Sequence, residues 1–217
     1  MPGLVEEGKD DARVPPFAEM LARAGFQVVV PSLPSFGSLR VHPENVRDLA
    51  SALDAVTARP DLAPSARAGV FGVSYAGGIA LLAALDPARA GRMPYLVTVG
   101  AYADLDTVLR FVATGRMVLD GRLSEVKPDP YGQLVFLRTY EEFLASPRDS
   151  ELLEAMAARR ERNPGAGLED LALSLGPRGR LIYDLFERST PDEVPGLIER
   201  LQRNPRSRFQ SAAQLGQ

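Results

Sequence analysis

Val70-Phe71-Gly72-Val73-Ser74-Tyr75-Ala76-Gly77-Gly78 decides how the rest of the chain is read. Branched and aromatic residues lead into a glycine, a serine stands at the turn, and small residues open an apolar run from Ile79 to Leu85. That order spells a strand, a sharp bend and a helix, with the serine standing out of the C-terminal edge of a sheet as in a nucleophile elbow. Such a bend brings the residues two before and two after the serine together, so both must be small, and here they are Gly72 and Ala76. The backbone N–H of Tyr75, at the helix N-terminus, then points to where an oxyanion would form, and the helix dipole adds to it. Gly77 and Gly78 let the helix pack closely on the sheet, while Ala76 takes the place of the second glycine of G-x-S-x-G. Two other readings fit the same residues. Ser74 could be a plain helix cap, or Gly72-x-Ser74-x-x-Gly77 a degraded dinucleotide fingerprint. Against the second stand a serine where a pyrophosphate needs close backbone approach, and a position after a later strand than the first.

Outward from this stretch, Pro15 and Pro16 open a helix with the apolar face Phe17, Met20, Leu21 and Ala24, closed by Gly25. Residues 26–30 read as a buried strand stopped by Pro31. A loop over 31–41 leads to Pro43 and an amphipathic helix over 43–58, carrying Val46, Leu49, Leu53 and Val56 at helical spacing. Strands over 68–72 and 95–99 flank the helix 75–85. Strands alternating with helices through short connections imply parallel pairing and right-handed crossovers, hence an α/β fold with a partial doubly wound parallel sheet. Past Gly100 only helical periods recur, over 105–112, 134–144, 152–156, 168–173, 181–186 and 194–201. The last opens on the capping box Thr190-Pro191-Asp192-Glu193. The expected organisation is an α/β core over 1–102, a helical subdomain over 103–203, and a tail over 204–217 too poor in apolar residues to fold.

A net charge of −3 and a pI near 5.4 give no electrostatic reason to expect nucleic acid or an anionic membrane as partner. The absence of cysteine rules out disulfides and thiolate chemistry and removes the best metal ligands. Asp10-Asp11 and Asp129 lack the clustering a metal needs and read as solvated loops, so neither metal nor cofactor is expected. The first residues carry no basic start with an apolar run behind it, and no stretch has the length of a membrane span, so the expected location is cytoplasmic.

Residues 1 to about 201 resemble an α/β-hydrolase core with a helical cap, of the serine esterase, lipase and peptidase type. The likeness rests on Pro2-Gly3-Leu4, on Leu21-Ala22-Arg23-Ala24-Gly25-Phe26-Gln27-Val28-Val29-Val30-Pro31, and on Gly72-Val73-Ser74-Tyr75-Ala76-Gly77-Gly78. It implies Ser74 as nucleophile toward a small ester or acyl substrate, with Tyr75 N–H as one oxyanion donor. Pro2-Gly3 stands where the family has its oxyanion dipeptide, so Leu4 N–H is the second donor, with Val5 the next in line. The aromatics Tyr131, Tyr140, Phe143, Tyr183 and Phe186 would then fall on helical faces of the cap and read as core. The departures are as informative. In the family a catalytic histidine follows the last strand, whereas the one histidine here, His42, reads as a cap of the 43–58 helix, and Asp104 as a cap of the helix after it. The general base is therefore unknown, and activity is expected to be impaired or lost. The family's central strand would precede Met1 and its last two strands would follow Leu201. The chain thus reads as a hydrolase truncated at both ends, a gene fragment or degenerate copy, folding weakly and open to self-association through uncovered sheet edges. From a different class, the alternative is a non-catalytic α/β domain that binds a small apolar ligand or a partner chain.

Overall fold

The structure, a computed structural model, describes residues 1–203 except 142, 143 and 145, without the side chains of Leu119 and Gln202. The expected tail over 204–217 and Phe143 lie outside the described residues. The chain divides into two compact units, one spanning Met1–Asp104 and one opening at Leu105, and each is a body of its own. The protein is mixed α/β with a short parallel sheet.

The first unit begins at the sheet. The Met1 amino group donates to Phe71 O (2.6 Å) and Met1 O accepts from Val73 N–H (3.2 Å), the bonding of one parallel bridge. Asp11, expected in a solvated loop, is instead buried. Its carboxylate accepts from Arg13 Nε (2.8 Å), Arg13 Nη2 (2.6 Å) and the Arg13 N–H (2.9 Å). The Arg13 hydrogen bonds hold the Asp11 carboxyl down at about 2. A carboxylate depressed in the folded state stabilises above its unfolded pKa near 4 and ceases to do so as pH falls through the folded value. Asp11→Asn is therefore expected to lower the denaturation midpoint at pH 6 and to leave it unchanged near pH 1.5, measured by urea titration at both.

Helix α1 (Val14–Arg23) starts with two prolines in its first turn and ends before Gly25, whose φ of +93° suits the turn that follows the helix. The Phe17 ring lies 4.8 Å from that of Phe71, yet no residue of α1 is fully buried. The segment 26–30 overturns its strand assignment. It joins no ladder, and Phe26 and Val29 stand exposed, because no neighbouring strand among the described residues offers it backbone partners. Hydrophobic sequence alone does not make a strand; pairing does. Helix α2 (Glu44–Thr57) buries Asn45, Leu49, Ala50 and Leu53 on one face.

Strand β1 (Val70–Val73), helix α3 (Tyr75–Ala84), the single turn α4 (Pro87–Ala90) and strand β2 (Leu96–Val99) form the centre of this unit. The strands run parallel, with Val70 opposite Leu96 and Val73 opposite Val99. Among the described residues the sheet has two strands where three were expected. Helix α3 packs on the face carrying Gly72 and Thr98. On the opposite face Phe71 lies under Phe17, but Tyr95, Val97 and Val99 remain about half exposed.

The second unit is built on α5 (Leu105–Thr114), β3 (Arg116–Leu119), β4 (Arg122–Glu125), α6 (Pro130–Glu141), α7 (Pro147–Arg162), α8 (Glu169–Ala172), α9 (Pro177–Glu187) and α10 (Val194–Gln202). Each expected helical period finds a helix. Leu109, Leu137, Tyr140, Leu153, Met156, Ile182, Leu185 and Ile198 form its core. Tyr183 and Phe186 are buried too, while Tyr131 is partly exposed. Asp129 accepts from the N–H of Tyr131 at the start of α6 (2.9 Å). Glu193 reaches back to the N–H of Thr190 (2.8 Å), the return half of the expected capping box, although the helix itself opens at Val194. The purely helical expectation fails at the β3–β4 hairpin. Asp120 (φ +50°) and Gly121 (φ +73°) make its two-residue turn, and Asp-Gly between alternating residues is the sequence signal for that turn.

Candidate functional site

Ser74 joins β1 to α3 with φ +52° and ψ −124°, a backbone conformation that L-residues avoid. Holding a non-glycine residue there costs on the order of 1–3 kcal/mol, and it persists only where the surroundings fix it. They do so from both sides. Ser74 N–H donates to Val99 O (2.7 Å), and Ser74 O accepts from Gly77 N–H (3.0 Å) and Gly78 N–H (3.4 Å). The peptide before the serine is thus tied to the sheet and the peptide after it to the helix, leaving the side chain to stand clear. It is exposed, and Oγ makes no hydrogen bond among the described residues. The plain-cap reading of Ser74 is thereby overturned, since the hydroxyl caps nothing.

The small residues around the bend are there for contact. A Cβ at Gly72 would lie 2.8 Å from Gly77 Cα, 2.9 Å from Gly77 N and 3.0 Å from the carbonyl carbon of Ala76. A Cβ at Gly77 would lie 2.8 Å from Ala101 Cβ and 3.2 Å from both Gly72 O and Thr98 Cβ. Strand and helix meet backbone to backbone, and fully buried Ala76 fits without a second glycine.

The N-terminal arm runs beside the serine. A Cβ at Gly3 would lie 3.3 Å from Ser74 Cβ and 3.9 Å from Ser74 Oγ, and the Leu4 side chain next to it is buried. Gly3 of the Pro2-Gly3-Leu4 stretch therefore lies beside the bend. Tyr75 N–H belongs to the first residue of α3 and has no acceptor among the described residues, as the first turn of a helix dictates. An exposed hydroxyl, a neighbouring N–H without a partner and a positive helix end can together hold and polarise an anionic or acyl oxygen.

The Tyr75 side chain points away from that opening into a polar cluster that the sequence reading did not find. Its hydroxyl donates to Asn45 Oδ1 (2.6 Å), which also accepts from His42 N–H (2.8 Å), and Asn45 Nδ2 donates to Ser35 Oγ (2.7 Å). Asn45 is wholly buried. The Tyr75 ring has Phe36 at 5.6 Å and Tyr102 stacked at 6.0 Å, and the Tyr102 ring occupies the space that a Cβ on Gly78 would take. Burial pushes the phenols of Tyr75 and Tyr102 well above their ordinary range, so both are neutral. Asn45 was detectable in principle: it stands one turn before Leu49 and two before Leu53 on the buried face of α2.

His42 lies one residue before Pro43, the N-cap of α2, and its Nδ1 accepts from Glu44 N–H (3.2 Å) with Glu44 Oε2 at 3.9 Å, so it contacts the helix start from just outside the cap expected of it. Asp104 directly precedes α5. Among the described residues no cluster of three or more His, Asp or Glu could hold a metal, and no helix is long and apolar enough to cross a membrane. No protein-family model matches this chain, and no match emerges from comparison with curated proteins or with solved structures. Fold and site together define a mixed α/β protein with an exposed, conformationally strained serine at a strand-to-helix bend.

Proposed function

We propose that this bend is a nucleophile elbow and that the protein is of serine-hydrolase type, Ser74 being the residue that accepts an acyl group from a small ester or related substrate. In this reading the first unit is a partial hydrolase-like core and the second its helical cap. The observation that carries it is the Ser74 backbone, φ +52° and ψ −124°, with the side chain exposed and committed to no bond among the described residues. Strain of this kind at a solvent-facing nucleophile has no structural use, since glycine would make the same turn at no steric cost.

The chemistry follows from the parts. Oγ attacks the acyl carbon, its proton leaves to solvent water, the carbonyl oxygen becomes an oxyanion received by the N–H of Tyr75 and an N–H of the Pro2-Gly3-Leu4 arm, and the alcohol departs with a proton from water. Water then cleaves the acyl-serine. His42 is the only imidazole in these 217 residues, and its Nδ1 is engaged with Glu44. A hydrolase site without its base retains roughly 10³ to 10⁴-fold acceleration over water from binding and the oxyanion hole. Slow acylation is the expected behaviour.

A fluorophosphonate tests this directly, because Oγ displaces fluoride to form a stable phosphonyl-serine. Stoichiometric labelling of the folded protein is expected, mapped by mass spectrometry to the peptide carrying Ser74 and absent in Ser74→Ala. Folded protein that stays unlabelled after prolonged exposure would sink the reading. It would favour instead a non-catalytic α/β domain binding an apolar ligand or partner chain, the class to which the half-exposed Tyr95, Val97 and Val99 face of the sheet is suited.

A further inference from the structure

We propose that Asn45 and the Tyr75 hydroxyl act as positioning residues for the Ser74 site, an inference that rests on the serine-hydrolase reading above. The N–H proposed to receive the oxyanion belongs to Tyr75, and the direction of that N–H is set by the peptide between Ser74 and Tyr75. Its hydrogen bonds to the helix come through Ser74 O, so one end of the peptide is held. The peptide is planar, so these bonds also set the line of the Tyr75 N–H, which has no acceptor of its own among the described residues. Where that plane sits against the sheet depends in addition on how the Tyr75 side chain is anchored.

That side chain is anchored from three separate elements. The hydroxyl is fixed by Asn45 of α2 at 2.6 Å, the ring is flanked by Phe36 from the 31–41 loop, and its other side stacks on Tyr102 from beyond β2. Asn45 cannot swing to follow a moving tyrosine. Its Oδ1 also accepts from His42 N–H and its Nδ2 is spent on Ser35 Oγ, so three of its bonds fix the amide plane while the residue is wholly buried. Ser35 is held in turn, its N–H donating to Asp48 Oδ2 (3.2 Å) from the next turn of α2. A buried network satisfied this fully is rigid, and loss of one member leaves the rest unpaired. Its rigidity is delivered to one residue, the one following the strained serine.

If the network only supported the fold, its loss would lower stability and leave the reaction of the remaining folded molecules unchanged. A positioning role makes a different demand: the bound probe should react more slowly although it binds as before. The experiment is fluorophosphonate inactivation of the full chain at a temperature where each variant is folded by circular dichroism, with the limiting rate separated from the half-saturating concentration.

Tyr75→Phe, which keeps the ring and its stacking, is expected to lower the limiting rate at least tenfold with the half-saturating concentration within twofold. Asn45→Leu is expected to do the same, and the double variant to be no slower than the slower single one. Asn45→Asp, which retains an acceptor for Tyr75 and His42, should recover most of the rate. Should Asn45→Leu fail to fold, Tyr75→Phe with Asn45→Asp carries the test. Wild-type rates in folded Tyr75→Phe overturn the positioning role and leave the hydrolase reading standing. No labelling of the wild-type protein overturns both.

Discussion

Ser74→Gly is expected to make the protein more stable and to abolish its reaction with a fluorophosphonate. At φ +52° and ψ −124° the serine carries strain on the order of 1–3 kcal/mol, which glycine does not. Against that gain stands the larger backbone entropy of unfolded glycine, about 0.5–1 kcal/mol. The difference favours glycine by roughly 1 kcal/mol, enough to raise the thermal midpoint by several degrees for a unit of this size. Ser74→Ala separates strain from chemistry. It retains the Cβ and therefore the strain, so its stability should match that of the wild type within about 0.5 kcal/mol, while its labelling is lost just as in the glycine variant. Thermal melts of the three proteins side by side check the ordering. If Ser74→Gly melts below Ser74→Ala, the bend stores no strain, and the main support for a nucleophile at this position disappears.

The bend was legible because its requirements are local. Gly72, Ser74, Ala76 and Gly77 are fixed by how closely a strand and the helix after it approach, and that constraint sits within six consecutive residues. That Gly3 lies beside the bend is not written locally, since nothing in a tripeptide states what it will touch seventy residues on. Residues 26–30 show the opposite case. Their composition is that of a strand, but a strand is a pair, and the partner is a property of the rest of the sheet. The β3–β4 hairpin is a third case: Asp120-Gly121 sets its turn locally, but it lies between stretches of helical period, and two residues carry no period of their own. Asn45 lay between these cases. A lone asparagine on the apolar side of an amphipathic helix announces a buried polar partner, though not that the partner is Tyr75 or that the pair stands directly behind a reactive serine.

Gly72→Val carries the largest expected loss of stability, and the reason lies in what the new side chain would meet. The first atom it adds would fall 2.8 to 3.0 Å from Gly77 Cα, Gly77 N and the Ala76 carbonyl carbon, all of them backbone. A flexible side chain can swing aside for a few tenths of a kcal/mol, but here α3 as a whole would have to lift from β1. That helix is buried on nearly every residue from Tyr75 to Ala83, and on the side away from the sheet it is tied to α2 by the Tyr75–Asn45 hydrogen bond, so it has little room to retreat. The cost lies at the upper end of overpacking, about 3 kcal/mol, a large share of the 5–15 kcal/mol a typical domain has. Cooperative loss of the first unit is expected, read as a fall in the urea midpoint. The second unit, whose core is formed by its own helices, provides the internal control. Amide exchange within α6, α7 and α9 should stay slow in Gly72→Val while exchange in α3 and β2 accelerates. Labelling of Ser74 should fall in parallel with the folded fraction of the first unit, because lifting α3 removes both the strained serine and the helix end behind it. A Gly72→Val protein that kept wild-type exchange in α3 would mean that the backbone contact between Gly72 and Gly77 does not hold the bend together.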